Sequence, residues 1–352
     1  MAPTLRPGGR LLQATSVRVA CTAPAPMPLL GYTPAVHPAS RPWTERWVYA
    51  LKPASWPKLG VAALLGQGIG IAATGTVSVP ALLVGLAFTV FDLCFVVLLN
   101  DWGDQDVDGL KRKLFPESCS PKTIPDGILD ARSVGLAGVG AAAAALGVAI
   151  IGQELLARPG LAWSAIVCLA LFAAYTLPPL RLNYRGGGEV LEMLGVGFAL
   201  PWFHAYLQSG MTQPAGLVLL PAFALMCLAS ALASGLADIE SDRLGGKRTF
   251  ATAFGAAKVR QAVEGLVLGG ILVWAALPRL APHYVTVWMV VPTVALMVLD
   301  YRALRRAGLS PEIETPYGVS AYKRHLHDCV WRGAVCMALV VALIGLIGGG
   351  LG

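Results

Sequence analysis

Residues 81–108 read ALLVGLAFTVFDLCFVVLLNDWGDQDVD, twenty residues charged only at Asp92 that run without a break into Asn100, Asp101, Asp104, Asp106 and Asp108. Twenty apolar residues wound as a helix rise about 30 Å, the thickness of a bilayer's hydrocarbon core. The stretch therefore predicts a membrane-crossing helix that delivers a row of carboxylates to the membrane surface. The rest of the chain has the same character. It is 56% hydrophobic and 13% charged over 352 residues, about half the charge of an ordinary soluble domain, too little to coat a soluble core of this size.

Nine apolar runs are predicted to cross the membrane: 59–80, 81–100, 134–153, 161–180, 190–210, 216–237, 262–277, 284–299 and 333–352. Gly and Pro inside them are tolerated because neighbouring helices satisfy the freed backbone groups. Of the 27 Lys and Arg, 25 fall before the first run and in alternate loops, and only Arg158 and Arg279 fall in the others. That asymmetry places the N-terminus in the cytoplasm and the C-terminus outside, and it turns the net charge of +7 into a topology signal. No basic stripe on a soluble module suggests nucleic acid. Seven scattered Cys without CxxC spacing give no disulfide framework or zinc site. Residues 1–44 are expected to be a disordered Pro/Ala-rich extension, with a composition also compatible with an organellar transit peptide, and 45–352 the membrane domain.

The spacing of the acids carries the chemistry. Asn100, Asp104 and Asp108 recur at i, i+4 and i+8, near one helical stripe, with Asp101 one turn from Asp104. Like charges this close repel, by a few tenths of a kcal/mol per pair, unless a cation joins them. Asp238 and Asp242 repeat the i, i+4 pattern after the sixth run, on the same predicted side, with Lys247 shortly after them. Carboxylates supplemented by substrate phosphate are the ligand set that Mg2+ prefers. One such cluster is usually only solvated; two, ordered and on one side, point to a metal and diphosphate site.

On these residues the chain resembles the UbiA superfamily of intramembrane prenyltransferases. Asn100, Asp101, Asp104 and Asp108 fit its NDxxDxxxD motif, and Asp238 and Asp242 its DxxxD motif. The YRGGGE segment at Tyr184–Glu189 and DIESDRLGGKRT at Asp238–Thr249 look closest to the 1,4-dihydroxy-2-naphthoate prenyltransferase branch of menaquinone synthesis. Ser234 and Gly235 depart from that branch, which usually has two Asn, or Asn and Asp, before the second motif.

The resemblance implies an all-α bundle of nine membrane helices. It implies Mg2+-dependent transfer of a polyprenyl group from its diphosphate to an aromatic quinone precursor in a cytoplasmic or organellar membrane. Asp101, Asp104, Asp108, Asp238 and Asp242 would hold the metal, with Asn100 as a neutral ligand or orienter. Lys247, Arg185 and Lys111 would offset phosphate charge as the C–O bond breaks. The resulting allylic cation could be stabilised by the rings of Tyr175, Tyr184, Phe91 or Phe95.

Glu189 is favoured over Glu192 as a site residue. Asp92 lies about two turns inside the second run, where an ionised carboxylate costs roughly 2.5 to 3.5 kcal/mol. It is read either as assisting acceptor deprotonation or pairing with a basic group, or as a protonated or hydrogen-bonded structural residue. His204 and Trp202 read as interfacial, and His325, His327 and Asp328 as a solvated or headgroup-facing connector. Competing readings are a UbiA-type terpene cyclase, a lipid-alcohol prenyltransferase and an ion-coupled transporter.

Overall fold

The computed structural model describes residues 41–116 and 120–350 and contains no strand among them. The predicted extension lies outside the described residues up to residue 40, and helix α1 (Trp43–Leu51) begins at its end. There follow α2 (Pro57–Thr74), α3 (Val79–Gly103), α4 (Gln105–Leu114), α5 (Ala131–Leu156) and α6 (Leu161–Thr176). Next come α7 (Leu182–Arg185), α8 (Gly188–Leu194), α9 (Leu200–Ser209), α10 (Leu220–Ser234) and α11 (Ile239–Leu244). The last three are α12 (Phe250–Leu280), α13 (Val287–Gly308) and α14 (Pro316–Gly348). A π-helical turn, Gly195–Ala199, joins α8 to α9.

Helix starts follow from local chemistry. Side-chain oxygens of Ser78, Asp130, Thr249 and Thr315 accept backbone N–H groups that α3, α5, α12 and α14 leave unpaired at their first turns.

Each of the nine predicted runs falls on helix. Seven helical stretches are long and apolar enough to cross a membrane: Val79–Gly103, Ala131–Leu156, Gly188–Ser209, Ala215–Ala237, Phe250–Leu280, Val287–Gly308 and Pro316–Gly348. The other two runs coincide with α6, a shorter apolar helix, and with α2. Boundaries differ most where helices continue through charged residues. The run predicted from 262 belongs to α12, which starts at Phe250 and is kinked at Gly255 (φ 81°, ψ 166°), and the run predicted from 333 to a helix that starts at Pro316. Hydropathy sees only the apolar part, while a helix continues wherever its polar side chains find partners, as Arg260 does with Glu314.

Helix α2 lies within the bundle rather than facing lipid, with most of its side chains buried. A Cβ on Gly66 would stand 2.2 Å from the carbonyl oxygen of Pro201, and one on Gly68 2.5 Å from that of Ala338. Glycine thus lets the backbones of α9 and α14 close on α2, where packing rather than hydrophobic segregation holds helices together. His204 is buried there too, against the expectation of an interfacial position. Its Nδ1 faces Gln67 Nε2 and its Nε2 faces the Thr89 hydroxyl, each at 3.1 Å. A polar triad spread over α2, α3 and α9 has no local sequence pattern.

Candidate active site

The two acidic clusters are built alike. Helix α3 gives way to α4 at Asp104 (φ −105°, ψ 9°), and a short 3-10 turn gives way to α11 at Asp238 (φ −120°, ψ 0°). Each break keeps its hydrogen-bond register. Asp104 N–H reaches Asn100 O at 2.9 Å, Asp108 N–H reaches Asp104 O at 2.8 Å, and Asp242 N–H reaches Asp238 O at 2.7 Å. The i, i+4, i+8 stripe therefore survives the bend, and Asn100, Asp104 and Asp108 all face one cavity of about 360 Å³. Asp238 and Asp242 line the same cavity from α11, which packs against α4.

Every one of these carboxylates is held by a lysine. Lys247 Nζ donates to Asp104 at 2.8 Å and stands 3.9 Å from Asp242; Lys122 pairs with Asp108, Lys111 with Asp238, and Lys52 with Asp101. Asn183 adds a donor to Asp104 at 3.2 Å. Burial pushes the Asp242 carboxyl up and the nearby Asp104 charge adds to this, while Lys247 pulls it down without cancelling the rise. The Tyr184 hydroxyl is raised by burial and by Asp104.

Of the predicted site residues, Asp92, Asn100, Asp104, Asp108, Lys111, Tyr175, Glu189, Asp238, Asp242 and Lys247 line the cavity. Asp101 is not part of the wall. It sits one position off the stripe and is 2% exposed; Lys52 holds one of its oxygens and the Thr123 hydroxyl donates to the other at 2.5 Å. Tyr184 also lies off the wall, its ring face taken by the Arg181 guanidinium at 3.7 Å and Lys247 at 4.9 Å. Arg185 is exposed and off the wall. Arg181 instead reaches inward, donating to Gly103 O at 2.5 Å from a backbone with φ +43° that non-glycine residues seldom adopt. Glu189 accepts the Phe250 N–H at 2.7 Å, tying the cavity rim to the start of α12.

Among the rings proposed for the cation, Phe91 is 37% exposed and Phe95 is buried edge-on against Phe172. Phe172, which the sequence reading passed over, lines the cavity with Tyr175, their rings stacked 5.8 Å apart. Lys122, Thr123 and Asn183 were also missed; no motif marks them, because their partners are 14, 22 and 79 residues away.

The donor set fits Mg2+ shared with a diphosphate: hard oxygens on two facing elements, a neutral amide at Asn100, and lysines within reach. Among the described residues no three Asp, Glu, His or Cys side chains form a metal cluster by themselves. Further in, the wall is mostly apolar, with Leu93, Val96, Val97, Leu171, Leu191 and Leu200.

A family model described as the UbiA prenyltransferase family matches residues 59–312. The chain is 25% identical over 284 residues to a 1,4-dihydroxy-2-naphthoate octaprenyltransferase of Escherichia coli, covering 75% of this chain and 86% of that one. It is 30% identical over 234 residues to a lycopene elongase/hydratase of Halobacterium salinarum, covering 65% and 79%. In fold it is similar to a UbiA homologue from Archaeoglobus fulgidus solved with DMAPP and Mg2+, with a TM-score of 0.60 and 15% identity over 82% of this chain and 99% of the other.

Proposed function

Because the chain belongs to the UbiA prenyltransferase family, we propose that it transfers a polyprenyl group from an allylic diphosphate to an aromatic quinone precursor such as 1,4-dihydroxy-2-naphthoate. The observation that carries this reading is the convergence of both acidic clusters, each lysine-paired, on one cavity whose deeper wall is apolar. The diphosphate belongs at the charged mouth and the prenyl chain against the apolar wall. Similarity to the naphthoate octaprenyltransferase and the likeness at Tyr184–Glu189 support the aromatic acceptor.

Asp104, Asp108, Asp238 and Asp242, with Asn100, would hold Mg2+. When bound, the ion would neutralise the diphosphate and ease its departure. Lys247, Lys111 and Lys122 turn from carboxylates to phosphate oxygens as substrate arrives, stabilising charge that grows in the transition state. Asp101 acts through Lys52 and Thr123, which it positions. Phe172 and Tyr175 offer ring faces to the allylic cation, and the apolar wall keeps water from it. Glu189 supports the rim.

The distribution of Lys and Arg supports nine crossings, α2 and α6 completing the seven, with this site on the cytoplasmic side. Family membership sets the ion-coupled transporter aside. A second reading, a non-aromatic acceptor, is favoured by the similarity to the lycopene elongase/hydratase and by Ser234 and Gly235 before the second cluster.

Purified protein is to be incubated with a panel of prenyl diphosphates, hydroxylated aromatic acids and polyenes, with and without Mg2+, and its products read by mass spectrometry. Prenylated aromatic product that disappears without the metal, and falls at least a hundredfold in Asp104→Ala and Asp238→Ala, is the expected result. A cyclic hydrocarbon formed without acceptor, or prenylation of polyenes alone, would sink the aromatic reading.

A further inference from the structure

Deep in the cavity stands a carboxyl that the protein does not satisfy. Asp92 is 4% exposed, lines the wall, and has no hydrogen bond or ion pair with any described residue. It lies eight residues before Asn100 on α3, two helical turns and about 12 Å deeper than the charged mouth. Leu93, Val96, Leu171 and Phe172 line the same cavity, as does Cys168 on α6.

A carboxyl placed in hydrocarbon without a partner is costly. A position needed only for packing would be better filled by leucine. An unsatisfied hydrogen-bonding group in a binding cavity discriminates strongly for a ligand that brings its complement, because any other ligand leaves the group unpaired. The prenyl chain carries only carbon and hydrogen and offers Asp92 nothing. The diphosphate is an anion that the lysines hold at the mouth. The acceptor is the remaining ligand, and its hydroxyl groups are donors.

We propose that Asp92 is the residue that selects the acceptor, its carboxyl hydrogen-bonded to a ring hydroxyl so that the ring is held beside the prenyl chain, facing its first carbon. This rests on the aromatic-acceptor reading above and narrows it. The acceptor is a hydroxylated ring held at its far side, and an analogue without that hydroxyl is rejected.

The test compares wild type with Asp92→Leu and Asp92→Asn, measuring KM separately for a dihydroxylated ring acceptor, for its analogue lacking one hydroxyl, and for the prenyl diphosphate, together with the thermal midpoint. Asp92→Leu is expected to raise KM for the dihydroxylated acceptor about tenfold, to lower that for the analogue, which no longer leaves a carboxyl unpaired, and to leave that for the prenyl diphosphate unchanged. Its midpoint is expected to stay level or rise, since an unpartnered buried carboxyl is removed. Asp92→Asn, which still accepts a hydrogen bond, keeps most of the wild-type preference.

An unchanged acceptor KM in Asp92→Leu overturns the proposal, as does a shift in preferred prenyl chain length instead. A lower midpoint with both KM values moved together marks a structural residue and overturns it as well. Should wild type release diphosphate yet prenylate no hydroxylated ring, the aromatic-acceptor reading falls and the proposal with it. Where wild type prenylates such rings and Asp92→Leu does so equally well, the proposal alone falls.

Discussion

Asp126 offers the sharpest test of how the loop between α4 and α5 is held. It accepts the Tyr49 hydroxyl at 2.5 Å, Arg112 Nε and Nη2 at 2.6 and 2.7 Å, and the Lys122 N–H at 2.9 Å. The same loop gives Lys122 to Asp108 and Thr123 to Asp101, and α1 grips it again where Arg46 donates to Ile128 O at 2.8 Å. Asp126→Ala removes all four acceptor contacts.

Hydrogen bonds to a charged group contribute about 1.5–3 kcal/mol each when dry, and this cluster is partly wet, so about 3 kcal/mol in total is a screened estimate. At about 1.4 kcal/mol per factor of ten, loop opening should become roughly a hundredfold more frequent. Hydrogen–deuterium exchange of amides 120–130 reads that change directly, and a higher KM for prenyl diphosphate should accompany it. Acid should mimic the mutation. Burial alone would raise the Asp126 carboxyl, but hydrogen bonds from Arg112, Tyr49 and Lys122 outweigh it and leave the group below its usual value. Its stabilisation is therefore complete above about pH 4 and is lost as pH falls through the depressed value. Corrected for the slower intrinsic exchange in acid, opening of this loop should become more frequent at low pH in wild type, and depend less on pH in Asp126→Ala. Exchange within twofold of wild type in the variant, or a rise shared equally by α12, α13 and α14, would refute the reasoning.

Lys247→Ala leaves Asp104 and Asp242 without their shared cation, so calorimetry should find tighter Mg2+ binding in the absence of diphosphate, together with at least a tenfold higher KM for the diphosphate. Weaker metal binding would mean that the lysine does not stand in for a cation. Gly68→Val should lower thermal stability by about 1–3 kcal/mol, because its side chain meets the α14 backbone. Gly265→Ala, where a Cβ meets nothing within 4 Å on α12, should raise it by about 1 kcal/mol in the same melting experiment.

How much could be read beforehand depended on whether a feature is local. Periodicity found Asn100, Asp104 and Asp108, because hydrogen bonds carry the helical register through the bend at Asp104. The same spacing could not tell that Asp101, one position round the helix, faces Lys52 and Thr123 instead of the cavity. Lys122, Asn183 and Phe172 gain their places only from tertiary folding, and Lys122 looked like any basic loop residue. Composition showed that α2 is apolar, but its burial depends on glycines whose purpose shows only when α9 and α14 lie against them. Arg185 was picked for its motif, whereas Arg181, with no motif, is turned inward.

The pairing of acids with lysines has a consequence for how the enzyme handles a labile substrate. Four lysines against five aspartates leave the mouth close to electroneutral. Under the proposed function, Mg2+ alone would compete with the lysines for the aspartates, and diphosphate alone would draw the lysines off and leave the aspartates repelling one another. Only simultaneous arrival lets each ion compensate what the other disturbs. On the proposed reading the site would favour joint arrival, so that bond cleavage would await assembly of the full charge set.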